Sequence, residues 1–314
     1  MDDELRGDLR DQLVAALQRV PETAGHELAF TPLSGGITNR NYLIAVAGAA
    51  DRYVIRLAGN DTHLLGISRE VEHAATVAAA GVGIGPEVVA FIRPEGYLVT
   101  RFIVGSPVSL EAIHQPATLT RVADSLRRIH GGPATPGLFV PLRIVEAYRA
   151  LATSRGIAEP AAWERAYAAG RQIERALLDA PIELRPCHND LLNANFIDDG
   201  TRIRIVDWEY AGMGDPAFDL ANFAVNHELD EDGEAALLAA YEAGDIQVPI
   251  DHRSIVLMRF MSDFREAMWG VVQQAISQLD FDFRAYAEQH FERLGRTADE
   301  PRFSRALTAP PERG

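Results

Sequence analysis

The sequence predicts an α+β fold in two lobes, a small β-rich N-terminal lobe over residues 1–104 and a large helical C-terminal lobe over residues 105–314. Three observations predict it. Short apolar runs separated by turn residues fill the first hundred positions, as in an antiparallel sheet. From residue 109 onward apolar residues recur mainly at helical spacing. Between the two patterns stands Gly105-Ser106-Pro107, directly after an apolar strand, which reads as a hinge.

Composition narrows the class. A chain of 314 residues with 47% hydrophobic content can bury a sizeable core in one large domain or two lobes. It has no run of about 18 apolar residues, so no membrane span is expected. Met1-Asp2-Asp3-Glu4 is acidic with no apolar segment behind it, so no secretory leader is expected either. The one cysteine, Cys187, rules out an intrachain disulfide framework or zinc cluster and fits a reducing cytoplasm. A formal charge of -15 argues against a nucleic-acid partner. It is compatible with a cationic substrate, although a solvated acidic surface is the commoner cause.

The elements follow in order. Leu5, Leu9, Leu13, Val14, Leu17 and Val20 make residues 4–20 an amphipathic helix closed by Pro21. Packing onto the first lobe is its expected role, and a lid or homodimer element the weaker one. Apolar strands on either side of Ser34-Gly35-Gly36-Ile37-Thr38-Asn39 predict a hairpin. Its glycines would let backbone N–H groups approach an anion, though alone such a pair is most often only a turn. A third strand, Tyr53 to Leu57, places Arg56 in an apolar run, where a buried guanidinium needs an anionic partner. Residues 67–80 read as a helix capped by Ser68, with Glu72 preferred to Glu70 as that partner. Strands over 87–92 and 97–103 enclose a turn at Pro94-Glu95-Gly96. Helices are expected over 117–130, 142–155 and 161–178, from Pro216 onward, and over 233–243, 253–278 and 281–294. The tail from Thr297, with Pro301 and Pro310-Pro311, is expected to be loosely ordered.

The chemistry is concentrated in His188-Asn189-Asp190-Leu191-Leu192-Asn193-Ala194-Asn195, followed by Ile205-Val206-Asp207-Trp208-Glu209-Tyr210. Any one of these polar residues could be a loop cap. H-x-D-x-x-x-x-N and then D-x-E behind an apolar strand is the constellation of phosphoryl transfer. In that reading Asp190 takes or orients the hydroxyl proton, with His188 in the same catalytic segment. Asn195 and Asp207 hold Mg²⁺, with Glu209 nearby. Ser34, Gly35, Gly36, Thr38 and Asn39 cover the phosphates of ATP, and backbone groups from Arg101 to Ile103 meet the adenine. The chain has no lysine, so Arg56, paired with Glu72, must offset phosphate charge. Asp219 is expected to brace the catalytic loop from below. Phe218-Asp219 follows Asp207 too closely for an activation loop, which argues against a protein substrate.

The segments Cys187 to Asn195, Val206 to Ala211 and Phe218 to Asn222 resemble the aminoglycoside-phosphotransferase-like superfamily, across residues 30–294. Trp269 to Ser277, Asp280 to Phe283, and Tyr286-Ala287 are similar to its choline/ethanolamine kinase branch. The resemblance implies a two-lobed protein-kinase-like fold, ATP with Mg²⁺, arginine rather than lysine on the third strand, and an amino alcohol substrate. It implies an ammonium cage from Tyr210, Trp269 and Tyr286. Two positions depart from the family pattern. Glu266 stands where a second tryptophan is usual, and Asn226 where an acid is frequent. The expectation is that Glu266 supplies the counter-charge, so that a primary amine suits the site as well as choline does. The rivals are a kinase for thiamine, an aminoglycoside or a sugar, and a catalytically inactive nucleotide-binding protein.

Overall fold

The computed structural model describes residues 7–33, 39–57, 59, 62–178 and 183–310. Its N-terminal part is a five-stranded antiparallel sheet in the order β1-β2-β3-β5-β4. The strands are β1 (Leu28–Leu33), β2 (Arg40–Val46), β3 (Arg52–Leu57), β4 (Val88–Ile92) and β5 (Tyr97–Arg101). Alternation decides the faces. Tyr42, Ile44 and Val46 of β2 and Tyr53 and Ile55 of β3 are buried on one face, under helix α1 (Gly7–Leu17). Leu13, Ala16 and Leu17 of α1 join that core, so the helix packs on the sheet as expected. Arg56 follows Ile55 and therefore points to the other face, toward the interlobe cleft.

Helix α2 (Arg69–Gly81) connects β3 to β4. Ser68 caps it, its hydroxyl accepting the Val71 N–H. Ala75 and Ala79 of α2 belong to the larger C-terminal core rather than to the sheet's own cluster. After β5 the chain crosses to β6 (Ser106–Pro107), which pairs with β8 (Phe196–Asp198). Gly105 makes this crossing possible: a Cβ there would meet the Asp198 carbonyl oxygen at 2.5 Å.

The C-terminal part contains α3 (Leu110–Ile113), α4 (Pro116–His130), α5 (Pro141–Ser154) and α6 (Trp163–Leu178). The short strands β7 (Arg185–Cys187), β8, β9 (Ile203–Ile205) and β10 (Gly212–Gly214) come next, β7 pairing with β10 and β8 with β9. Then come α7 (Pro216–Asn226), α8 (Glu231–Glu242), α9 (His252–Ile276), α10 (Phe283–Asp299) and α11 (Pro301–Thr308). α9 is buried on nearly every face and packs against α5, α7 and α10. Among the described residues no helix is long and apolar enough to cross a membrane.

The tail departs from the expectation of loose order. α10 continues to Asp299 and α11 follows at once. Pro301 starts α11 rather than stopping a helix, because its missing N–H lies where no intrahelical bond is made. Phe303 is buried against Phe260, ring centroids 5.5 Å apart, and Arg302 bonds Glu234 at 2.7 Å.

Candidate active site

β7 delivers Cys187 to a tight loop in which Asn189 has φ 66°, a left-handed conformation that asparagine tolerates. The loop is held from beneath by Asp219, in the first turn of α7. Its Oδ2 accepts the His188 N–H at 2.8 Å and its Oδ1 the Asn189 N–H at 2.7 Å, while His130 Nε2 lies 3.1 Å from Oδ2. Asn222, one turn on, accepts the Leu191 N–H at 2.6 Å and donates to Ser262 of α9 at 2.9 Å. Asn189 donates to the Tyr210 carbonyl at 3.0 Å, and Asn195 to the Asp190 carbonyl at 2.9 Å. The backbone N–H groups of His188, Asn189 and Leu191 are thus held by side chains of α7.

His188 does not face the cleft; it is fully buried. Its Nδ1 accepts the Asp190 N–H at 3.2 Å and its Nε2 donates to the Val206 carbonyl at 3.0 Å, so the two fixed partners set the tautomer. Burial pushes its pKa down. It is a neutral strut between the two catalytic segments, which corrects its placement among the catalytic groups.

Asp190 Oδ1 accepts from Arg265 at 2.9 Å. Burial raises the Asp190 pKa and Arg265 opposes this, while Glu266 and Glu209 reinforce it; the balance brings the carboxyl up to about 7. Asp207, at φ 66°, follows the strand β9–Val206 and has a buried Oδ1 without a hydrogen-bond partner among the described residues. Burial, and then the carboxylates of Glu209 and Glu72, push its pKa well up.

Between the sheet and these segments lies a cavity of about 400 Å³. Val54, Leu98 and Ile103 line it from one side, and Asn195, Ile197 and Asp207 from the other. Arg56 lines it too and forms an ion pair with Glu72. Glu70 instead faces outward and pairs with Arg93, which settles the choice between the two acids. The Arg101 side chain pairs with Asp51 at 2.6 Å and Glu87 at 3.0 Å, and Arg101, Phe102 and Ile103 line the cavity. Asn39 bonds Glu209 at 2.9 Å and accepts from Arg56 at 3.3 Å. Ser34, Gly35, Gly36 and Thr38 lie outside the described residues. Glu209, expected beside the metal, has its Oε2 engaged by Asn39 and by Arg69 at 3.3 Å.

On the far side of Asp190 the aromatic residues do converge. Trp269 Nε1 donates to the Tyr210 hydroxyl at 3.1 Å, and the Trp269 and Tyr286 ring centroids are 5.6 Å apart. Glu266 is buried among them rather than solvent-facing. Its Oε1 accepts from Arg265 at 2.5 Å and its Oε2 from the Tyr286 hydroxyl at 2.7 Å. The expected free counter-charge is therefore already shared with an internal cation. Asn226 donates to the Leu191 carbonyl at 3.4 Å, so its hydrogen bond ties it to the catalytic loop rather than to the aromatic cluster.

Two arginines escaped the sequence reading. Arg69 binds Glu72 at 2.8 Å, Thr62 at 2.8 Å and Asn39 at 3.2 Å as well as Glu209. Its position three before Glu72 on a helix was the available signal. Arg265 is 1% exposed, and the signal was a charged Arg265-Glu266 pair directly before the apolar Ala267-Met268-Trp269-Gly270-Val271-Val272 of the same helix.

The family model for the phosphotransferase enzyme family matches residues 29–255. The crystal structure of a choline/ethanolamine kinase family protein from Mesorhizobium loti is 31% identical, superposes with a TM-score of 0.79, and covers 95% of this chain and 97% of its own. Protein LicA of Haemophilus influenzae is 26% identical over 281 residues, 84% of this chain and 81% of that protein. A probable ethanolamine kinase A of Dictyostelium discoideum is 24% identical over 327 residues, 90% of this chain and 89% of that protein. The chain belongs to the phosphotransferase enzyme family and, within it, to the choline/ethanolamine kinase family.

Proposed function

We propose that this chain transfers the γ-phosphoryl group of ATP to the hydroxyl of a small amino alcohol of the ethanolamine or choline kind. One observation carries the reading. Asp190 stands between two different environments, linked through Arg265 to an acid and aromatic cluster on one side and next to the Asn195 and Asp207 wall of the cleft on the other. An alcohol whose ammonium group sat among Tyr210, Trp269 and Tyr286 would present its hydroxyl to Asp190.

Asp190 accepts the hydroxyl proton as the oxygen–phosphorus bond forms, and the bond between the γ-phosphorus and the bridging oxygen breaks to release ADP. Most of the acceleration comes from position and charge. Among the described residues the Arg56 Nη2 is buried with no hydrogen-bond partner, which suits it to a phosphate oxygen. The adenine fits the apolar walls at Val54, Leu98 and Ile197, against the backbone at Ile103. The residues present also fit magnesium. Asp207 Oδ1 is an orphan carboxylate oxygen, and Asn195 commits its Nδ2 to Asp190, which leaves its amide oxygen as a ligand. When bound, the ion neutralises charge on the phosphate oxygens. Glu209 supports this site by anchoring Arg69 and Asn39. A reducing cytoplasm suits the chain, whose one thiol is buried.

The test is ADP release coupled to NADH oxidation, with ATP and Mg²⁺ against ethanolamine, choline, thiamine and kanamycin. Acceptor-dependent turnover on ethanolamine or choline is expected. Turnover on thiamine or kanamycin alone, or release indifferent to every acceptor, would refute the reading.

A further inference from the structure

The cage has an occupant of its own. The guanidinium carbon of Arg265 lies 4.8 Å from the centroid of the Tyr210 ring, so one face of that ring is already covered by a cation. Trp269 and Tyr286 meet at 67°, edge to face, and Phe283 packs on Trp269 at 5.8 Å. A quaternary ammonium has no N–H to donate and relies on open ring faces. Acceptors are well supplied. Each Glu266 oxygen receives one hydrogen bond and has lone-pair capacity for a second. The Tyr286 hydroxyl bonds Glu266 directly, and the Tyr210 hydroxyl, which accepts from Trp269, is a further oxygen of the cluster. Asp190 and Glu266 both accept from one Arg265 Nη2, so the trio holds two acids to one cation, a setting that receives an ammonium of either kind and leaves the choice between them to the N–H acceptors and the covered ring face.

We propose that Arg265 and Glu266 are the specificity pair of the amine pocket and select a primary over a quaternary ammonium. Arg265 covers the tyrosine face that a trimethylammonium would use, and Glu266 offers acceptors that only an N–H can use. This deepens the amino-alcohol kinase reading and rests on it. Arg265 also touches Asp190, so it serves catalysis as a positioning residue, and the selectivity must be read as a ratio between substrates.

The experiment measures kcat and KM for ethanolamine, N-methylethanolamine, N,N-dimethylethanolamine and choline. It uses the wild type and the double variant Arg265→Met/Glu266→Gln, which strands no charge between the two positions. In the wild type, kcat/KM should fall with each methyl, by at least about 10-fold from ethanolamine to choline, mainly through KM. The double variant should be slower on all four because Asp190 loses its Arg265 contact. Its ethanolamine-to-choline ratio should nevertheless shrink by about 10-fold. A wild type that uses choline as well as ethanolamine overturns the proposal, even if the variant fails to fold. So does a folded variant that keeps the wild-type ratio. Silence on all four amines would instead remove the amino-alcohol reading, and the specificity pair with it.

Discussion

Asp219→Asn is the sharpest test of how the catalytic loop is built. The wild-type carboxylate receives two backbone N–H groups and faces His130, all in a fully buried setting. Burial alone would push this carboxyl up. His130 and the loop amides outweigh it and hold the pKa below the ordinary range, so the fold selects the ionised form. Asparagine keeps the shape and one acceptor oxygen. With Oδ1 left on the Asn189 N–H, its Nδ2 can turn to His130, whose ring can take the other tautomer against the Tyr241 hydroxyl. The His188 N–H then faces an N–H. One stranded amide and the lost charge assistance should cost about 3 kcal/mol, a large part of the ~5–15 kcal/mol that holds a domain. Asp219→Ala strands all three groups and should cost about 5 kcal/mol or more. The loop carries Asp190, so kcat should fall about 10- to 100-fold in the asparagine variant while the KM for ATP holds. The sign with pH follows from the lowered carboxyl. Its stabilising contribution is full above the unfolded pKa and is lost as pH falls through the folded one. The variant's deficit should therefore narrow in acid. Urea unfolding at several pH values, alongside the coupled assay, measures all of this. A variant within about 0.5 kcal/mol of wild type with unchanged kcat would refute the reasoning.

Three further outcomes are expected. Asp190→Ala should lower kcat by about 10²- to 10⁴-fold and leave ADP affinity by calorimetry nearly unchanged; near-normal turnover would remove Asp190 from its role. Asp215→Asn should stabilise the protein at pH 7 by about 1–3 kcal/mol, because burial raises the Asp215 carboxyl to about 6, its Oδ2 has no hydrogen-bond partner among the described residues, and asparagine also caps α7. The wild-type penalty grows as pH rises from the unfolded value through about 6, so thermal melts of the two proteins should converge near pH 4. Phe303→Ala should cost about 3 kcal/mol in urea unfolding, with ATP KM unchanged, and a loss within error would return the tail to the loose order its prolines suggest.

What could be read from the sequence depended on how far apart the interacting residues lie. Strand alternation and the Ser68 cap are local patterns, and each is found where the period and the capping residue placed it, while Asn195 and Asp207, close in sequence, line one cavity. The pairing of Arg56 with Glu72 was legible because a buried guanidinium demands an acid and α2 offered two candidates. The Arg265 contact to Asp190 spans 75 positions, and the direction of a side chain on an all-buried helix follows only from packing. His188 looked catalytic from its motif, but a motif does not say which side of the loop faces the cleft. The misreading of α11 came from weighing Pro301 as a stop, when proline breaks a helix interior but starts a helix well.

The absence of lysine has a structural consequence beyond phosphate charge. Arg69 reaches from α2 to Glu72 on its own helix, to Thr62, to Asn39 at the mouth of the first hairpin, and to Glu209 behind the catalytic strand. Arg265 reaches two carboxylates and a tyrosine ring at once. Arg69 splits its partners between Nη1 and Nη2, which a compact lysine ammonium could not do, and Arg265 combines one nitrogen shared by two acids with a planar face over the Tyr210 ring. Each arginine therefore joins parts that must move together. Arg69 fastens the helix and hairpin that frame the nucleotide cleft to the segment bearing Asp207. Arg265 fastens Glu266 and the Tyr210 ring to Asp190, and in the proposed reaction this joins the amine site to the base. The two sides of the reaction are linked through side chains whose bonding geometry is rigid. Any loosening of the amine pocket is then felt at Asp190 directly, which is why exchanging Arg265 should alter both turnover and the choice of amine.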